Sequence, residues 1–156
     1  MRKIAIAAAT LAALFAAPAF AQSSGASGEG RVEVRGGIAW AGGAEEAFAG
    51  AAAGYDFDLG DTTFVGIEAA ADKVLVDGSE IFFTGAIRAG AKTGANGKVY
   101  VLGGYGFTDG AGDGAFAGLG YQHKFGSNFY GKVEYRRTLV SGTDINFAGV
   151  GLGVSF

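Results

Sequence analysis

The sequence contains no cysteine and only one proline. The first absence excludes disulfides, thiolate zinc sites and a thiol nucleophile. The second, set beside 30 glycines without a period of three, excludes collagen and a proline-rich stalk. Charge is also scarce, 17% of residues against 49% hydrophobic, which is far from the composition of a disordered chain. Helical periodicity is nowhere sustained. The glycines must therefore serve inside a folded, non-helical domain.

What is present begins with an export pattern. Arg2-Lys3 forms a basic start, residues 4–17 an apolar run, and Ala19-Phe20-Ala21 a small-residue cleavage site, with the cut expected between Ala21 and Gln22. A short membrane anchor is the alternative, but the alanine richness and the small-residue end favour cleavage. Loss of Arg2 and Lys3 takes the net charge from −3 to −5, so no chain-wide attraction for nucleic acid remains. Residues 22–30, QSSGASGEG, read as a flexible lead. Residues 31–156 read as one domain.

Along that domain, apolar residues alternate with small or polar ones in segments of about ten, the period of a strand. Eight strands are expected, at 31–41, 48–58, 63–74, 80–91, 98–107, 115–125, 129–139 and 144–156. The connections are short and built from Gly, Asp, Asn, Ser and Thr, so successive strands must be antiparallel neighbours in an up-and-down meander.

Strand parity then separates two faces. Residues 149–156, GVGLGVSF, put Val150, Leu152, Val154 and Phe156 on one side and Gly149, Gly151 and Gly153 on the other. The strand before it sets Phe129, Val133 and Tyr135 against Lys132, Glu134 and Arg136. The first opposes Val32, Val34, Ile38 and Trp40 to Glu33 and Arg35. Parity alone does not say which face points inward. The export pattern, the even strand number, membrane-spanning strand lengths and a terminal aromatic on the apolar face favour grease outside and charge in a lumen. Apolar-face aromatics also gather at two levels, Trp40, Phe83 and Phe107 at one rim and Phe57, Phe125, Phe129 and Phe156 at the other, as interfacial girdles do.

With these features assembled, the chain resembles the small eight-stranded outer-membrane barrels of Gram-negative bacteria, the porin-like, opacity-protein-like and outer-membrane protein A-like group. The resemblance implies an all-β, eight-stranded antiparallel up-and-down transmembrane β-barrel in the outer membrane. It also implies that Phe156 belongs to the signal read by the barrel-assembly machinery, and that the partners are membrane lipids and lipopolysaccharide. A monomer without cofactor or metal is expected. Many members carry long outer loops that bind host or phage partners; the outward connections here are short, which argues against adhesion.

An eight-stranded barrel has an interior that side chains fill. On lumen parity fall Arg31, Arg35, Arg88, Lys92, Lys98, Lys124, Lys132 and Arg136, against Glu33, Asp56, Glu68, Asp72 and Glu134. The expected site is an ion-pair network centred on Arg35, Glu68, Asp72, Arg88, Lys132, Glu134 and Arg136, with Gly149, Gly151 and Gly153 leaving room for charged side chains. Such a network reads either as a plug that holds the barrel together or as the lining of a narrow pore; a soluble exported barrel around an apolar ligand is a third reading. Lys73, His123 and Arg137 break parity toward the lipid. Lys73 and Arg137, near strand ends, either snorkel or meet lipopolysaccharide phosphates. Acids at 45, 46, 77, 80, 109, 113 and 144 occupy the outward connections without a basic residue. His123 has no nucleophile or carboxylate at useful spacing, so no catalytic residues are assigned and no enzyme is expected.

Overall fold

The computed structural model describes residues 27–108, 113–139 and 144–156. The export segment, including Ala21 and Gln22, and Asp109 lie outside the described residues. Eight strands run in chain order: β1 (Gly28–Ala41), β2 (Ala44–Asp58), β3 (Thr63–Val74), β4 (Ile81–Thr93), β5 (Gly97–Phe107), β6 (Gly114–Phe125), β7 (Phe129–Thr138) and β8 (Asn146–Ser155). Each pairs antiparallel with the next, and β1 closes on β8 from Arg31↔Ser155 to Trp40↔Asn146. Two further bonds, from Gly30 N to Phe156 O (2.8 Å) and from Phe156 N to Gly30 O (2.9 Å), extend the seam. Closure leaves no strand edge, which is what hydrocarbon requires of a sheet.

Two boundaries differ from the sequence reading by three residues or more. The first strand begins at Gly28, so the last residues of the expected lead are strand and Glu29 becomes part of the lumen. The second begins at Ala44 because Gly42 (φ 57°) and Gly43 (φ 90°) close the hairpin in two residues. Both sites need the left-handed region that glycine enters without strain. The ladder therefore continues through Trp40↔Glu45 and Ala39↔Glu46, and these two acids are strand residues, not loop residues.

The barrel is apolar outside and charged inside. Val34, Ile87, Val101 and Leu152 are each 63–66% exposed on the outer face, while Arg31, Asp56, Glu68 and Arg88 are buried within. A soluble barrel inverts this arrangement, hiding apolar side chains and exposing charge. Aromatics form two outer belts: Phe83 and Phe107 (ring centroids 6.0 Å apart) with Trp40 and Tyr135 (6.1 Å) toward one end, and Tyr55 and Phe57 (4.7 Å) with His123 and Phe125 (5.4 Å) toward the other. The first is here called the loop end, since it carries the three longer connections; the second, holding Gly28 and Phe156, is the terminal end.

Candidate functional site in the barrel lumen

Strand alternation delivers one side chain in two to the interior, and the eight strands bring their charges together there. Glu68 on β3 lies at the centre. Its Oε1 accepts from Arg136 Nη2 at 2.5 Å and Arg35 Nη1 at 3.1 Å, and its Oε2 from Arg31 Nη1 at 2.8 Å, with Lys132 Nζ at 3.6 Å. One carboxylate thus joins β3 to β1 and β7, which lie on other sides of the barrel. Toward the loop end, Arg35 Nε donates to Asp72 Oδ1 at 2.7 Å while its Nη2 engages the other oxygen, a bidentate grip. Arg136 Nε donates to Glu134 Oε1 at 2.5 Å, and Lys132 Nζ contacts Glu33 at 2.5 Å and Glu134 at 3.2 Å.

A second cluster occupies the terminal half. Arg88 holds Asp56 through Nε (2.7 Å) and Nη2, and the same Nη2 reaches Gln122 Oε1 at 3.2 Å. Lys98 Nζ adds 2.9 Å to Asp56 and 3.3 Å to Glu29, and Lys124 also pairs with Glu29. Lys92 meets Asp58 at 2.9 Å nearer the rim. Arg31 links the two clusters, its Nε 3.7 Å from Asp56 while Nη1 bonds Glu68. Buried ions persist when they are paired, and every charged lumen side chain named here has an opposite charge in reach, although Arg31 Nε and Nη2 and Arg88 Nη1 make no hydrogen bond of their own among the described residues.

Of the seven residues expected in the network, Arg35, Glu68, Asp72, Lys132, Glu134 and Arg136 form one connected group, and Arg88 sits in the Asp56 cluster. Sequence reasoning missed Glu29 and Asp58, which lie at strand ends, and Gln122. It also missed the aromatic share of the lumen. Phe64, Tyr100, Phe116 and Tyr130 are buried inside. The Tyr100 hydroxyl donates to Glu134 at 2.7 Å and Tyr130 to Glu33 at 2.8 Å. The Arg88 guanidinium lies 4.7 Å from the Tyr100 ring centre and 5.3 Å from Phe64, and Arg136 lies 5.4 Å from Phe116. Their signal was available: all four occupy the parity of the charged residues.

The β8 glycines serve differently from the expectation. A Cβ on Gly153 would meet the Tyr130 ring at 2.6 Å and one on Gly149 the Phe48 ring at 2.9 Å; only Gly151 faces a charged stem, Lys132 at 3.1 Å. The bare face of the last strand mostly seats aromatic rings. An aromatic body is wider than an alkyl stem, so it makes the stronger demand for a neighbour without a side chain.

Outside the lumen, Lys73 is exposed on the outer face at the loop end of β3. Arg137 is exposed and paired with Asp144. His123 lies on the outer face with its Nδ1 3.2 Å from the Tyr121 hydroxyl. Phe156 is 58% exposed beside the β1–β8 seam. Among the described residues no group of three metal-ligating side chains is assembled.

No family model matches the chain, and no curated protein matches it in sequence. Solved structures do match. The attachment invasion locus protein Ail of Yersinia pestis aligns with a TM-score of 0.65 at 15% identity, over 83% of this chain and 99% of that one. The N-terminal β-barrel domain of Pseudomonas aeruginosa OprF gives 0.60 at 19% identity, over 83% and 100%. Neisserial surface protein A gives 0.54 at 16%, over 85% and 100%. The fold is that of a small outer-membrane β-barrel. At such identities the likeness is one of architecture, and what this outer-membrane barrel fold does here has to be read from its own lumen and surface.

Proposed function

We propose that this chain is an integral barrel of the outer membrane with a structural role in the envelope, its lumen closed by ion pairs and aromatic rings, not open to solutes. The observation that carries the reading is Glu68, a buried carboxylate bridged to Arg31, Arg35, Lys132 and Arg136. A path for ions would have to break several of these contacts together, each in a low-dielectric interior where an unpaired charge is costly. In this reading the terminal end faces the periplasm, the loop end faces outward, and the apolar outer face meets lipid. Phe156 and its apolar neighbours serve the assembly machinery, and Lys73 and Arg137 lie where lipopolysaccharide phosphates approach. The protein acts as a monomer without catalytic activity: His123 has the Tyr121 hydroxyl as its polar partner and, among the described residues, no oriented nucleophile beside it.

Two measurements test this. Membrane fractions run unboiled and boiled on a denaturing gel are expected to show the protein in the membrane with heat-dependent mobility; a soluble protein with unchanged mobility overturns the membrane reading. Planar-bilayer recording is expected to show no unitary events; reproducible conductance steps overturn the closed lumen.

A further inference from the structure

His123 is an ionisable residue on a face built for hydrocarbon, and it does not stand there alone. It lies near the terminal end of β6, within the aromatic belt, its ring centre 5.4 Å from that of Phe125 and 6.2 Å from that of Tyr121. The residues directly opposite it on both neighbouring strands are glycines, Gly97 on β5 and Gly131 on β7, so no facing side chain covers the ring. The same row continues from Gly97 to Thr93, the last residue of β4. A Cβ on Gly97 would collide with Thr93 Oγ1 and stand 2.9 Å from the Tyr121 hydroxyl oxygen. The absent side chain thus lets both hydroxyls reach one spot on the outer wall, where Thr93 and Tyr121 are exposed and His123 is half-buried.

The hydrogen-bonding capacity of this group is only partly used. The Tyr121 hydroxyl lies 3.2 Å from His123 Nδ1 and donates to it, which leaves the imidazole proton on Nε2. Among the described residues neither that Nε2 nor the Thr93 hydroxyl has a protein partner, and both are donors. The outward positions of β4, β5 and β6 carry no acid that could accept from them. Beside Tyr121 an open apolar groove runs over the outer wall toward mid-strand, past Ala91, Val99, Val101, Leu119 and Val133. Two free donors therefore sit at the rim, next to a track of hydrocarbon-facing surface.

We propose that Thr93 and His123, with the imidazole oriented by Tyr121, hold the phosphate of a membrane phospholipid at the terminal rim, one acyl chain lying along the groove. The site rests on the reading that this outer face meets lipid. Its depth is that of the aromatic belt, where headgroups begin. A phosphodiester oxygen is charged and only accepts, which matches two donors without an acid beside them. Hydrogen bonds to a charged oxygen are about twice as strong as those to a neutral hydroxyl, so the pair discriminates a phosphate from a sugar headgroup. The glycines at 97 and 131 keep the approach to the ring open.

The test offers the full chain, folded in a nonionic detergent, dioleoylphosphatidylcholine or a galactolipid with the same acyl chains, and reads retained lipid by native mass spectrometry. The phospholipid is expected to stay bound and the galactolipid to be lost. Thr93→Val/His123→Phe is expected to weaken retention about tenfold or more, because two hydrogen bonds to a charged oxygen disappear. Tyr121→Phe, which removes one oxygen, should weaken it less, and Lys73→Ala/Arg137→Ala at the loop end should leave it unchanged. Excess inorganic phosphate should not displace the lipid; displacement would make the site one for free phosphate and overturn the lipid assignment. Equal retention of the galactolipid, or parent-like retention by the Thr93/His123 variant, would also overturn the proposal. Heat-dependent gel mobility of each sample reports the membrane barrel separately, so a heat-modifiable parent that retains no phospholipid removes this site and leaves the membrane reading standing.

Discussion

Tyr130 fills the space that Gly153 leaves: a Cβ added to Gly153 would stand 2.6 Å from the tyrosine ring and 2.4 Å from the carbonyl oxygen of Val32. The second contact is with backbone, which has no rotamer to change. Gly153→Val should therefore cost about 1–3 kcal/mol of stability through overpacking. Gly85, exposed on the outer face of β4, has nothing within 4 Å of its missing Cβ. Gly85→Val should be neutral or stabilising, because valine suits an open strand position better than glycine. Urea unfolding of both variants in lipid vesicles measures the contrast. Similar losses at the two sites would mean that the lumen is loosely packed.

Glu68 gives the strongest charge effect. Glu68→Gln keeps the shape and removes the charge shared by Arg31, Arg35, Lys132 and Arg136. Breaking a buried pair from one side costs about 3–5 kcal/mol, because the partners stay buried with their charge uncompensated. Lys92→Met, at the partly exposed rim pair with Asp58, should cost about 0–1 kcal/mol. The same unfolding experiment ranks them, and a Glu68 effect no larger than that of Lys92 would remove Glu68 from the centre of the network.

The architecture was legible because a period of two is hard to disguise: β3, β5, β6 and β8 lie within about two residues of where alternation places them. The charged lumen residues followed from the same parity, apart from Glu29 and Asp58 at the strand ends. Two things did not. The extent of β2 was hidden because AGGAEEA reads as a turn cluster, and only backbone geometry at Gly42 and Gly43 shows that two residues suffice. The lumen aromatics were hidden because Phe and Tyr fit either face of such a barrel, so that, unlike a charge, their presence on one parity does not by itself mark the lumen. Phe48, Tyr100 and Phe116 stand on the parity of Asp56, Lys98 and Lys124 in their own strands.

The β1–β2 hairpin follows from the same geometry. Gly43 holds a φ of 90°, which a β-branched residue does not tolerate, so Gly43→Val should cost about 1–2 kcal/mol. Gly42, at 57°, lies where asparagine is accommodated, and Gly42→Asn should unfold at nearly the urea concentration of the parent. Parent-like stability of Gly43→Val would mean that the turn relaxes to a longer loop, freeing Glu45 and Glu46 from the ladder.

The outer face offers the most direct physical test of what surrounds it. Val101 lies midway along β5 between Ala89 and Leu119 and is 63% exposed, while Ala47 lies close to the loop end of β2. In water, arginine at either position would be unremarkable, since both side chains point outward into solvent. In a bilayer, depth separates them. An arginine at the midplane costs about 2–4 kcal/mol and one near the interface about 0–1 kcal/mol, because only the latter reaches headgroups and water. Val101→Arg should therefore lose markedly more stability than Ala47→Arg when both are unfolded from lipid vesicles. Equal, small effects would place Val101 in water and remove the hydrocarbon from around the barrel, since no other feature of the two sites produces a difference graded by distance from the rim.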